Sequence, residues 1–200
     1  HLDLNRCMLR IFRRSKLPVW YTEGFNPHPY YSFALALSLG FESDCEIMDF
    51  NVTDDNMPLS VIKDRLNEVM PEGMGIVDIA PQKNKITVIA KAEYEFDLKA
   101  DDVQAVYDAV EKLLAADEIL VEKKTKKGIK TVDLKPDTEI VSLEKADGAV
   151  HIAMRLPAGT KTNYNPTLFV EALKKSCEIP FEMANIRRMG ILCENNEKFS

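Results

Sequence analysis

Hydrophobic positions recur with a helical period at the start of this chain. The buried stripe has the i, i+3, i+4, i+7, i+8 spacing of one helix face and consists of Leu4, Cys7, Met8, Ile11 and Phe12. Asp3 precedes the stripe as a predicted N-cap. Pro18 disfavours helical geometry in the residue before it, so we expect the helix to end there.

The remaining strands are predicted from alternating apolar and polar residues, and the remaining helices from helical spacing of apolar residues and from capping residues. In the first half, strands are predicted at 30–41, 45–53 and 75–79, with a helix at 58–70. In the second half, strands are predicted at 86–98, 138–144, 149–156 and 181–193, with a hairpin at 119–134 and helices at 101–114 and from Pro166 onward. Asn165 is the predicted N-cap of the last helix.

Both halves then have the order β-α-β-β-α-β, if a strand precedes residue 1. We therefore predict an α+β fold of two tandem ferredoxin-like (βαββαβ) modules with antiparallel sheets, the first strand being absent from the N-terminus. The polar connector at 81–85 divides the chain into residues 1–82, with the opening helix, and residues 83–200, with an inserted lysine-rich hairpin.

The distribution of charge changes this picture more than the total does. The 200 residues carry a net charge of −6, but residues 1–35 hold five cations and two acids. A basic surface on an acidic body favours a focused anionic ligand over general coating of DNA.

The opening helix carries its arginines opposite the apolar stripe, at Arg6, Arg10, Arg13 and Arg14. Only one acid, Asp3, lies within reach along the helix. Arginine without acidic partners suits phosphate, which the guanidinium binds in a bidentate fork. The alternative is a solvated helix face.

A stiffened loop follows the helix, with the sequence Gly24-Phe25-Asn26-Pro27-His28-Pro29. Prolines flank His28 on both sides, so we expect the loop to present His28 and Asn26 to a ligand near the arginine face. The alternative is a rigid surface turn. His28 is also the candidate catalytic residue, because histidine can act as the general acid in metal-independent RNA cleavage.

Two further groups of cations are candidates for contacts with RNA. Lys124, Lys126 and Lys127 lie at the predicted hairpin, where lysines alternatively protect an edge strand from aggregation. Arg187 and Arg188 are consecutive in the last strand, so they are expected to point to opposite faces.

Other functional signatures are few. The four cysteines are dispersed, which supports neither a zinc site nor an iron–sulfur cluster, and we predict no cofactor. No apolar run of membrane-spanning length is present, so we expect a cytoplasmic protein without a membrane partner. The sequence contains no G-x-S-x-G, P-loop or H-E-x-x-H motif.

One family resemblance covers nearly the whole chain. It is carried by His1-Leu2-Asp3-Leu4, Arg13-Arg14, Leu17-Pro18, Tyr21-x-x-Gly24-Phe25-Asn26-Pro27-His28-Pro29, Ser32-Phe33-Ala34 and Ile186-Arg187-Arg188. These motifs resemble the radical-SAM-linked family, long described as a domain of unknown function. The resemblance implies a radical SAM protein as partner and no established activity or catalytic residues.

The leading hypothesis is a non-catalytic RNA-binding accessory module that presents tRNA or rRNA to a separate radical SAM enzyme. A second is a metal-independent RNA endonuclease that uses His28, by loose analogy with the tandem ferredoxin-like RAMP proteins that cut CRISPR RNA. A third is a protein-interaction scaffold whose basic face docks on an acidic partner.

Overall fold

The computed structural model describes residues 2–125, 128–160 and 162–199. Within these residues the chain is an α+β protein with four α-helices and with both antiparallel and mixed sheets. The elements in chain order are α1 (Leu2–Ser15), β1 (Tyr31–Phe33), β2 (Glu42–Ser43), β3 (Met48–Phe50), α2 (Leu59–Asn67), β4 (Ile89–Lys99), α3 (Val103–Ala115), β5 (Leu120–Thr125), β6 (Gly128–Asp133), β7 (Glu139–Ala146), β8 (Ala149–Pro157), α4 (Pro166–Ser176) and β9 (Glu182–Cys193).

The described residues divide into two compact units. The first contains 2–39 and 46–85, and the second contains 40–45 and 86–199. The short segment 40–45, which the sequence-based division leaves in the first module, therefore groups with the second unit. The α+β class is confirmed, whereas the arrangement as two tandem ferredoxin-like modules stays a prediction.

The first unit is built on a small antiparallel sheet. β1 pairs with β3 so that Tyr31 lies opposite Phe50. The segment 18–22 extends this sheet, since the Trp20 amide donates to the Asn51 carbonyl and the Thr22 amide donates to the His28 carbonyl, each at 2.9 Å. The helices α1 and α2 pack on it, and the buried residues of this core are Met8, Ile11, Phe12, Leu17, Val19, Ile62 and Leu66.

The strands predicted at 30–41 and 45–53 are present but shorter, and the strand predicted at 75–79 is wrong. In that segment the backbone is bound by side chains of α2. Asn67 accepts from the Ile76 amide at 2.7 Å and donates to the Ile76 carbonyl at 3.1 Å, while Lys63 donates to the Val77 carbonyl at 2.6 Å. These groups satisfy the backbone without a partner strand.

The second unit contains a five-stranded sheet with the order β2-β9-β4-β8-β7. The pairs are antiparallel except for β2 with β9, which is parallel. Side chains of α3 and α4 pack with the inward residues of β4 and β8 in one core that includes Phe96, Val110, Ile152, Met154 and Phe169. β5 and β6 form a separate two-stranded hairpin, as predicted.

The helix α4 begins as its sequence predicts. The Asn165 side chain accepts from the Thr167 amide at 2.9 Å, and Pro166 occupies the first turn. Cap and proline together satisfy or remove amides that the first turn would leave unbonded.

We expect Gly159→Ala to destabilise the second unit strongly. Gly159 has φ of +129°, and an added Cβ would lie 2.5 Å from the Ile89 carbonyl oxygen. The backbone strain and the collision together should lower the free energy of unfolding by about 3 kcal/mol. Gly148→Ala is the matched control, since Gly148 has φ of +71° and open space around it, and it should cost only about 1 kcal/mol. Denaturant unfolding of both variants measures the difference, and equal losses would contradict the expectation.

Candidate nucleic-acid interface

The packing of the apolar face of α1 determines which way the arginines on its other face point. Met8, Ile11 and Phe12 are buried against the small sheet. The Tyr31 hydroxyl donates to the Asn5 carbonyl at 2.8 Å and ties the start of α1 to β1. Because these contacts occupy one side of the helix, the arginines lie on the side that faces away from the sheet.

The arginine row, defined as Arg6, Arg10, Arg13 and Arg14, is exposed along its length. Within the described part of the chain, only Arg6 forms an ion pair, with Asp3 at 3.2 Å between Nη1 and Oδ1. Asp3 lies inside α1 and not at its N-cap, which corrects the prediction made for it. An exposed pair at i, i+3 contributes only a few tenths of a kcal/mol, so it is readily exchanged for a phosphate.

The proline-flanked loop orients the ring of His28. Its Nδ1 lies 3.0 Å from the Asn26 carbonyl oxygen and 3.2 Å from the Thr22 hydroxyl. A carbonyl only accepts hydrogen bonds, so Nδ1 carries the proton and Nε2 is left as the acceptor in the neutral ring. Asn26 is exposed and supplies this orienting carbonyl.

The structure does not bring His28 to the arginine row. Along the extended segment that leads into β1, His28 and Tyr30 alternate with Pro29 and Tyr31. Tyr31 packs against Phe12 of α1, with ring centroids 5.5 Å apart. His28 therefore points to the side of the small sheet that α1 does not cover. The arginine row lies on the face of α1 that points away from the sheet.

The lysine hairpin is described only in part. Lys124 is exposed on β5, whereas Lys126 and Lys127 lie outside the described residues. The neighbouring Lys123 is already engaged, because it donates to the Asn163 carbonyl at 2.6 Å and lies 4.8 Å from the centre of the Tyr164 ring.

Arg187 and Arg188 have different environments. Arg187 contacts two carboxylates, with Nη1 at 2.8 Å from Asp44 and Nη2 bonded to Glu42. Arg188 is only 2% exposed and lies 5.6 Å from the centre of the Tyr94 ring. The carboxylates would compete with phosphate for Arg187, and burial keeps Arg188 from surface contact with RNA.

Sequence reasoning missed a charged network on the second unit's sheet. Arg155 binds Glu93 at 2.6 Å and Glu139 at 2.8 Å. Next to this group, His151 Nδ1 lies 2.9 Å from Asp97, which also accepts from Asn185 at 2.6 Å. The charged residues at alternate positions of β4 indicate such a network in the sequence. Which residues pair with them depends on the register between β4 and its neighbouring strands. Because Glu93 and Glu139 already bind Arg155, this arginine is not available to a polyanion.

The fold and these surfaces define an α+β protein of two units with an exposed arginine helix. The chain belongs to the bacterial family described as "Uncharacterized protein conserved in bacteria (DUF2344)", whose profile matches residues 1–166. Comparison with curated proteins finds no match. In the described residues, no helix is long and apolar enough to cross a membrane, and no group of His, Cys, Asp and Glu is arranged to hold a metal ion.

We expect Asp97→Asn to lower stability in a pH-dependent way. Burial alone would raise the pKa of Asp97, but the hydrogen bonds from His151 and Asn185 outweigh burial, so the pKa lies below its usual value. The ionised carboxylate therefore stabilises the fold fully above its unfolded pKa of about 3.9. That contribution is lost as the pH falls through the lower folded pKa.

The measurement is denaturant unfolding of the protein and the Asp97→Asn variant between pH 5 and pH 2. The variant should be less stable by about 1–2 kcal/mol at pH 5, and the difference should shrink below about pH 4. Asp101→Asn, which removes a carboxylate at an exposed position, is the comparison variant. A difference that is constant down to pH 2 would contradict the expectation.

Proposed function

We propose that this protein is a non-catalytic RNA-binding module whose primary contact with RNA is the arginine row of α1. The observation that supports it most directly is the state of Arg10, Arg13 and Arg14. All three are exposed, and within the described residues none has an acidic partner. Each guanidinium thus exchanges only water for a phosphate oxygen when RNA binds.

The spacing of the row suits a chain of phosphates. Arg6, Arg10 and Arg14 are four residues apart, which places them about 6 Å apart along the helix axis. The row therefore extends for about 12 Å, long enough to meet successive phosphates of one strand. Arginine also offers paired donors that match the geometry of a phosphate.

The other predicted RNA contacts have secondary places in this proposal. His28 and Asn26 would touch sugar or base where the RNA passes around the edge of the first unit. Lys124 would contribute on the second unit. Arg187 and Arg188 are left out, because carboxylates bind one and burial removes the other.

The resemblance to the radical-SAM-linked family supports a more specific role. In this proposal the module acts in the cytoplasm and presents a tRNA or rRNA to a separate radical SAM enzyme. The element order of each half supports two tandem ferredoxin-like modules. In the second unit, the strand order β9-β4-β8-β7, with α3 and α4 packed on the sheet, also supports a ferredoxin-like module.

A metal-independent ribonuclease is the second candidate, and the oriented ring of His28 favours it. The position of His28, on a different side of the first unit from the arginine row, weighs against the ribonuclease. The test is incubation of labelled RNA with the protein in EDTA. We expect no cleavage, whereas cleavage that disappears in His28→Ala would establish the ribonuclease.

The decisive experiment replaces Arg10, Arg13 and Arg14 together by Glu. RNA affinity, measured by fluorescence anisotropy, should fall by at least about a hundredfold at physiological salt. The plot of log affinity against log salt should become less steep, its slope falling in magnitude by roughly two, since three single-strand phosphate contacts are lost. Circular dichroism should be unchanged, because the three side chains are exposed. Glu in the last turn of α1 should lower stability slightly through the helix dipole, and the control below carries the same effect at Lys112 and Lys175.

The matched control replaces Lys83, Lys112 and Lys175 by Glu. These residues are exposed and belong to segments of the chain other than α1, and the change in net charge is the same. If both triple variants lost the same RNA affinity, the loss would be due to the overall charge of the protein, which would contradict the proposal. A partner protein that stays bound after nuclease treatment, and is lost only in the arginine variant, would instead establish the interaction scaffold.

A further inference from the structure

A shallow depression on the first unit combines aromatic rings with a carboxylate. It is lined by Trp20, Phe50, Asn51, Val52, Thr53 and Asp55. The Trp20 ring meets the Tyr30 ring edge to face beside it, with centroids 5.3 Å apart and planes at 74°. Trp20 is 39% and Tyr30 is 45% exposed, so both rings remain accessible to a ligand.

The rings offer a cation two favourable surfaces. The face of an aromatic ring carries the negative part of its quadrupole, and tryptophan provides the strongest such site. Two rings at a steep angle form a corner in which a guanidinium or ammonium group can lie against one face while its stem contacts the other ring.

The charge of the depression is also suited to a cation. Among the described residues, Asp55 is the one charged residue in the lining, and it has neither an ion pair nor a hydrogen bond there. The adjacent Asp54 differs, because its carboxylate accepts from the Asn56 amide at 3.0 Å and holds the turn. The Asp55 carboxylate is therefore available to a ligand and would repel phosphate.

We propose that this depression, the Trp20–Asp55 pocket, binds an arginine or lysine side chain on an exposed basic segment of a partner protein. The cation packs on Trp20, its N–H groups donate to the Asp55 carboxylate, and Tyr30 contacts the aliphatic stem. This surface is distinct from the arginine row in position, since Tyr30 alternates with Tyr31 and so points away from α1. The Asp55 carboxylate is also opposite in charge to the arginine row, so a polyanion and a basic segment would contact different residues of the first unit.

The chain provides its own reporter for this site, because Trp20 is its only tryptophan. The probe is a short peptide of alternating glycine and arginine, titrated into the intact protein while Trp20 emission is followed. The comparison peptide has citrulline, a neutral isostere, in place of arginine. The arginine peptide should change Trp20 emission saturably, and the citrulline peptide should bind about threefold weaker or worse.

Two variants assign the contact to the pocket. Asp55→Asn should weaken the arginine peptide by about two- to fivefold. Asp54→Asn removes one negative charge at the adjacent residue and keeps an oxygen that accepts from the Asn56 amide. This variant should leave binding unchanged. Equal binding of the two peptides, an equal effect of the two variants, or no response of Trp20 would overturn the proposal. Stronger quenching by a single-stranded RNA oligonucleotide than by the peptide would also overturn it and identify a base-stacking surface instead.

Discussion

Burial of Met8, Ile11 and Phe12 in the first unit is the constraint on which the other features of α1 depend. Each side chain contributes about 1.5–3 kcal/mol when it leaves water. Turning the helix by half a turn would lose this burial and force guanidinium groups towards an apolar sheet, where charge without a partner is very unfavourable. The apolar stripe therefore holds the arginines outward, whatever ligand they meet.

The same small sheet separates the arginine row from the Trp20–Asp55 pocket. One side is covered by α1, whose far face carries the arginine row. The other side presents His28, Trp20 and Tyr30, with Asp55 in the adjoining depression. The separation follows from the two-residue period of the strand between Pro29 and Tyr31, because neighbouring side chains leave an extended chain in opposite directions. Residues that are close together in the sequence thus lie on two sides of the sheet.

Local patterns predicted the elements well where one short segment determines the outcome. The stripe of α1, the cap at Asn165 and the alternation along β8 are of this kind. The strand predicted at 75–79 failed because side chains of α2 bind that backbone, which only the packed structure reveals. The pair of His151 with Asp97 was also beyond sequence reasoning, since it depends on the register of strands that are distant in the chain.

The arginines show why residue type alone does not locate an anion site. Arg187 is held between Glu42 and Asp44, and Arg188 is buried against Tyr94, so a phosphate would have to replace existing contacts at either position. On α1 the only competitor in the described residues is Asp3, in an exposed pair that contributes little. The advantage of the arginine row is thus the absence of strong local partners around it: binding a phosphate there costs dehydration of exposed guanidinium groups and almost no internal contact.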